Sequence, residues 1–140
     1  MNFESYRNNV APHKMIFYDD FVVPNAVVLE GFNPKYNCES FALHNSTTEW
    51  KWTNQTFETL AEMGFKPVKA SITRQGDLVV VENGENIRHF CRVVEPNPKI
   101  GRIRVISKFG QNELAICNLE NAIGGGYGTT VTFLRQRKES

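Results

Sequence analysis

The sequence holds little of what announces a function unaided. It has three cysteines, Cys38, Cys91 and Cys117, in 140 residues. Three cannot all pair within one chain, and no C-x-x-C occurs, so a structural zinc site is not expected. The odd count suits a reducing compartment or a reactive thiol. A basic excess is also missing: Lys plus Arg is 16 and Asp plus Glu is 15, for a formal charge of +1. That balance gives no electrostatic footprint for nucleic acid or an anionic membrane. The cluster Arg135, Arg137, Lys138 reads as a solvated tail. No apolar run is long enough to span a bilayer, and Met1-Asn2-Phe3-Glu4-Ser5-Tyr6-Arg7 carries no signal-peptide core. The expectation is a soluble chain, cytoplasmic or exported by a signal-independent route.

What is present is enough for one packed domain. Hydrophobic residues make up 41%, with ten Phe and two Trp, which argues against disorder. The expected organisation is a single domain over residues 1–140, with an irregular lead-in over 1–35 and a core over 36–135. Pro24 limits the apolar stretch 22–29 to an edge strand or two short ones. A helix is expected with Asn37 as N-cap and Cys38 in its first turn. A second is expected from Thr53, with Phe57, Leu60 and Ala61 as its apolar stripe and Gly64 as its stop. Strands are expected over 68–73, 78–82, 87–95, 103–108, 114–119 and 130–134. Helices first and an antiparallel sheet second make an α+β arrangement. Gly124-Gly125-Gly126-Tyr127-Gly128 lacks the Lys-[ST] of a phosphate loop and reads as a flexible turn.

One ordered pair carries chemistry. Cys38 sits where a helix begins, and His89 lies downstream on a strand, Ile87-Arg88-His89-Phe90-Cys91-Arg92-Val93-Val94. A helix N-terminus favours a thiolate, and a neighbouring imidazole can hold it as an ion pair. Alternation puts His89, Cys91 and Val93 on one strand face and Phe90, Arg92 and Val94 on the other. A plainer reading stands beside it: Cys38 as a buried small hydrophobe and His89 as an ordinary strand residue. Trp50 and Trp52 read as core or rim, though either can line a cleft.

The ordered set Asn37-Cys38-Glu39-Ser40-Phe41-Ala42, Gln75-Gly76-Asp77-Leu78-Val79-Val80, His89-Phe90-Cys91-Arg92-Val93-Val94 and Val105-Ile106-Ser107-Lys108-Phe109-Gly110 resembles the papain-like cell-wall peptidases and amidases of the NlpC and CHAP types. The resemblance implies N-terminal helices packed on an antiparallel sheet. It implies Cys38 as nucleophile, His89 as general base and acid, and Ser107 as the residue that orients His89. Asn37 or Tyr36, with the Cys38 amide, would stabilise the oxyanion. Ser107 departs from the usual His, Asn, Asp or Glu, and Glu95, Asn112 and Asn118 are further candidates for that role. The substrate implied is a peptide or peptidoglycan stem peptide, with no metal or organic cofactor, in a phage or bacterial effector setting. The alternative is a catalytically degenerate relative that binds a protein partner or inhibitor. If Cys38 is activated, it should alkylate faster than Cys91 or Cys117 below neutral pH.

Overall fold

The apolar runs of the second half become strands, and they pair with strands from the lead-in. In the computed structural model, residue 3 and residues 13–18, 21–84, 86–124 and 127–137 are described. Eight strands form one sheet: β1 (His13–Tyr18), β2 (Phe21–Glu30), β3 (Phe65–Val68), β4 (Leu78–Glu82), β5 (Ile87–Glu95), β6 (Arg104–Lys108), β7 (Leu114–Asn118) and β8 (Thr130–Gln136). Their order is β1-β2-β7-β6-β5-β4-β8-β3, and every pairing is antiparallel. Strands β4 to β7 make a meander, the simplest way to join antiparallel neighbours. Strand β8 returns to the other edge of β4, and β3 adds outside it.

Two described helices are short: α1 (Cys38–His44) and α2 (Phe57–Glu62). Asn37 caps α1 by accepting from the Ser40 amide at 2.9 Å, and Asn45 ends it in the left-handed region at φ 49°, which asparagine tolerates. Thr56, not Thr53, caps α2. Thr53 has a different task. Its amide and hydroxyl donate to the two oxygens of buried Glu39 at 3.0 and 2.8 Å, which fastens the loop to α1. His44 closes the same carboxylate at 2.8 Å.

Both sheet faces are covered. On the inner face Val79, Val81, Cys91, Val93, Val105, Ala115, Cys117 and Phe133 form one core with residues of β1 and β2 and with Leu119, Ala122 and Tyr127. On the outer face Leu78, Val80, Phe90 and Leu134 receive Cys38, Ala42 and Leu43 of α1 and Leu60 of α2. Tyr36 and Phe41 continue that cover over Val94, Ile106 and Ile116. Each such large apolar side chain contributes about 1.5–3 kcal/mol. Two covered faces explain why 78–81 is apolar at every position rather than alternately.

The architecture corrects the expected papain-like α+β class. It is a predominantly antiparallel sheet, with described helices of only seven and six residues. The expected lead-in over 1–35 supplies β1 and all ten residues of β2. Pro24 is accommodated because it falls where the register with β1 skips, between the Val23–Ile16 and Ala26–Lys14 pairs. The expected strand over 68–73 is a strand only at its start; β3 ends at Val68, and Ala70–Ile72 is a single 3-10 turn. Gly125, Gly126 and Lys138 lie outside the described residues. Gly128 is needed for close approach: at φ +87°, a Cβ there would sit 2.3 Å from the Glu82 carbonyl oxygen. Among the described residues no helix is long and apolar enough to cross a membrane.

Candidate functional site

Cys38 opens α1 as its sequence context predicts. Its surroundings are those of a core residue. It is 5% exposed and packs with Phe90, Leu78 and Val80 on the outer face. Burial pushes its thiol up to about 12, against the smaller opposing pull of the Phe90 backbone. A thiolate at neutral pH is therefore disfavoured, and a two-turn helix cannot offset the loss of water.

His89 sits one residue before Phe90 and points the other way. Its ring stacks on Tyr127 at 3.9 Å and 8°, and lies 6.0 Å from Phe109, both members of the inner core. The ring is fully buried, and burial pulls its pKa down to about 3. Cys38 meets β5 at Phe90 from one side, and the His89 ring leaves β5 on the other. The sheet separates the two residues, so they form no dyad.

Ser107 does meet His89. Its Oγ lies 2.6 Å from His89 Nε2. The contact is diagonal rather than directly across, because the pairs Arg92–Ile106 and Val93–Val105 set Ser107 opposite Cys91 when continued. His89 Nδ1 has no hydrogen-bond partner among the described residues. We assign the proton to Nε2, donating to Ser107, because a buried lone pair without a partner costs less than a buried N–H.

The expected oxyanion residues have structural tasks. The Asn37 side chain accepts from both the amide and the hydroxyl of Ser40. Fully buried Tyr36 donates its hydroxyl to Glu30 at 2.5 Å. Of the other candidates, Asn118 accepts from Arg104 at 3.1 Å, Asn112 gives its carbonyl to Lys108 at 2.8 Å, and Glu95 is exposed at the end of β5. Asp77, immediately before β4, is the bidentate partner of Arg135, at 2.8 Å to each oxygen. Arg135 therefore belongs to β8 and is no tail residue.

The folded protein should resist alkylation. Cys91 and Cys117 are also buried with raised pKa values, Cys117 to about 12. Iodoacetamide at mildly alkaline pH is expected to leave all three thiols unmodified by mass spectrometry while a denatured control reacts fully. Rapid labelling of Cys38 in folded protein would restore it as a nucleophile.

Two open recesses lie away from Cys38. One, of about 420 Å³, lies between the start of α2 and the β4–β5 hairpin and is lined by Trp52, Phe57, Asn54, Gln55, Asn86 and Arg88. The other lies at the rim where β3, β8 and the start of β4 meet. Trp52, whose sequence context reads as core or rim, was the local signal for the first. Nothing local marked the second, whose residues are far apart in sequence.

Residues 28–135 match a protein family described as a domain of unknown function, DUF7689, and the chain belongs to that family. No curated protein and no solved structure matches it.

Proposed function

We propose that this member of the DUF7689 family is a non-catalytic binding domain whose ligand occupies the Trp52–Phe57 cleft. The observation that carries the reading is the separation of Cys38 and His89 by the sheet, each buried in a different core. Amide hydrolysis through Cys38 needs a thiolate, a base within hydrogen-bond reach and an open groove. The recess beside the hairpin has what a ligand needs instead. Trp52 and Phe57 are 40% and 39% exposed, although most large apolar side chains among the described residues are buried. Trp52 is held edge-on against Phe90 at 6.2 Å, so its ring is positioned before any ligand arrives. The amides of Asn54 and Asn86 supply donors and acceptors around it, while the Gln55 amide is tied to Thr53 and Thr59. Aromatic faces ringed by amides suit a polar ligand with an apolar face, and an N-acetylated saccharide is that class. The hydrolase reading retains one supporting observation, that Cys38 opens a capped helix.

The test has two arms. Soluble N-acetylated oligosaccharides and muropeptides are titrated while tryptophan emission is followed. Saturable binding is expected, with Trp52→Ala weakening it by about tenfold or more, since a stacked aromatic anchor is worth roughly 2 kcal/mol. Absence of binding, or equal binding by Trp52→Ala, removes the cleft assignment. In the second arm, purified peptidoglycan is incubated with the wild type and with Cys38→Ala, and no released fragments are expected from either. Release that disappears in Cys38→Ala would return the protein to the hydrolases.

A further inference from the structure

The rim recess differs from the first in charge. Its volume is about 770 Å³, and its lining brings together Lys66, Arg74, Arg92, Arg135 and Arg137 with a single carboxylate, Asp77. The chain as a whole carries a formal charge of only +1, so the cations are concentrated at this rim rather than shared over the surface. Asp77 is already committed. It takes two bonds from Arg135 and one from the Arg74 amide at 2.8 Å, and its charge also acts on Arg92, so one carboxylate stands against five cations in the recess. Lys66 stands directly opposite Arg135 across β3 and β8; Asp77 offsets Arg135, while Lys66 forms no ion pair among the described residues.

Arg92 is the most informative of the five. It is half-buried and lies over the Phe65 ring at 5.6 Å. Its Nε donates to the Ala42 carbonyl at 2.7 Å and its Nη1 to the Gly76 carbonyl at 2.9 Å. Two neutral acceptors fix the fork, and among the described residues no carboxylate pairs with it. Burial pulls its pKa down to about 10, the mark of a cation held where water is scarce. A protein that only needed packing at this position would gain by an apolar side chain. A guanidinium fixed at one end and placed at the edge of an open recess is the arrangement that receives phosphate or carboxylate.

We propose that this recess is a binding site for a small organic anion carrying at least two phosphate groups, which Arg92, Lys66 and Arg137 hold together. The site is independent of the aromatic cleft and stands whether or not that cleft binds a saccharide. The volume exceeds what a lone phosphate fills and falls within the range of small-molecule sites. Pro67 and Val68 add apolar wall for the organic part. Nucleic acid fits less well. The cations line a recess rather than a stripe, and no exposed aromatic lines it for base stacking.

Inorganic tripolyphosphate is the probe, with inorganic phosphate and with sodium sulfate at matched ionic strength as controls. Isothermal titration and thermal unfolding of the full chain should show saturable binding of tripolyphosphate. It should bind at least about tenfold tighter than inorganic phosphate, because each further charge-assisted contact is worth that much. Lys66→Gln with Arg137→Gln, both exposed and outside the core, should weaken binding at least about tenfold while the unliganded melting temperature stays near wild type. Arg92→Gln should weaken it further if it folds, and the surface pair decides the matter if it does not. A thermal shift matched by sulfate, or unchanged in the Lys66→Gln/Arg137→Gln protein, overturns the proposal. Tighter binding of a single-stranded oligonucleotide than of tripolyphosphate, lost in the same double variant, would overturn the small-molecule assignment in favour of a nucleic acid.

Discussion

Lys108→Met is expected to cost about 3–5 kcal/mol of stability in urea unfolding. Lys108 is completely buried. Its Nζ donates to three converging carbonyls, Asn33 at 2.9 Å, Gly110 at 2.7 Å and Asn112 at 2.8 Å, and lies 4.7 Å from the Tyr36 ring centre. An ammonium has three donors on one point, and each is used. Methionine matches the volume but supplies no donor, so three carbonyls lose their partner at roughly 1–3 kcal/mol apiece before relaxation. Set against a typical total of about 5–15 kcal/mol, that loss leaves a marginal protein. Lys108→Arg is expected to rescue little, because a planar fork cannot send three donors to three radially placed acceptors. A loss below about 1 kcal/mol in Lys108→Met would show that the cage carries no structural weight. The cage ties Asn33 and the 109–112 turn to the end of β6.

Acidification is expected to unfold the protein through His89. Its folded pKa is near 3, depressed from 6.5 by burial. Between those values the unfolded chain binds a proton that the folded chain refuses. Stability is therefore unaffected by this group above about pH 6.5, falls by about 1.4 kcal/mol per unit as pH drops through the window, and levels off below about pH 3. The full loss is roughly 4–5 kcal/mol. His89→Phe isolates it. Phenylalanine keeps the stack on Tyr127 but leaves the Ser107 hydroxyl without its partner, at about 1 kcal/mol near neutrality. The variant should be the weaker protein at pH 7 and the stronger one below about pH 5.5. The difference between the two stability curves is the readout, since carboxylates elsewhere titrate in both. Parallel curves from pH 7 to pH 4 would mean that His89 gains its proton without unfolding, and so is not sealed in the core.

The local instructions were legible in the residues themselves. Asn37 before Cys38 specifies a capped helix start, and Gly64 specifies a stop. The apolar runs after Gly76, from Ile87 and before Phe109 specify strands, because short-range hydrogen bonding and period-two side-chain placement act within a few residues. The nearness of Ser107 to His89 followed from the β5–β6 hairpin, which is also local. The Thr53 cap failed for a non-local reason, since its hydroxyl is taken by Glu39 across a loop.

Tertiary structure decided the rest. Alternation assigned His89 and Phe90 to opposite faces but could not say which face α1 would cover. Both faces of β5 are buried, so hydrophobicity did not distinguish them, and the choice fell to packing. Phe90 and Val94 face α1 and Phe41, while Cys91 and Val93 turn into the inner core with His89. A shift of one residue in β5 would have set the imidazole beside Cys38. In the same way, Lys66, Arg92 and Arg135 are scattered in the sequence and look like ordinary surface charge there. They share one recess only because β8 pairs with β3 and β4, a long-range arrangement that no local pattern of side chains encodes.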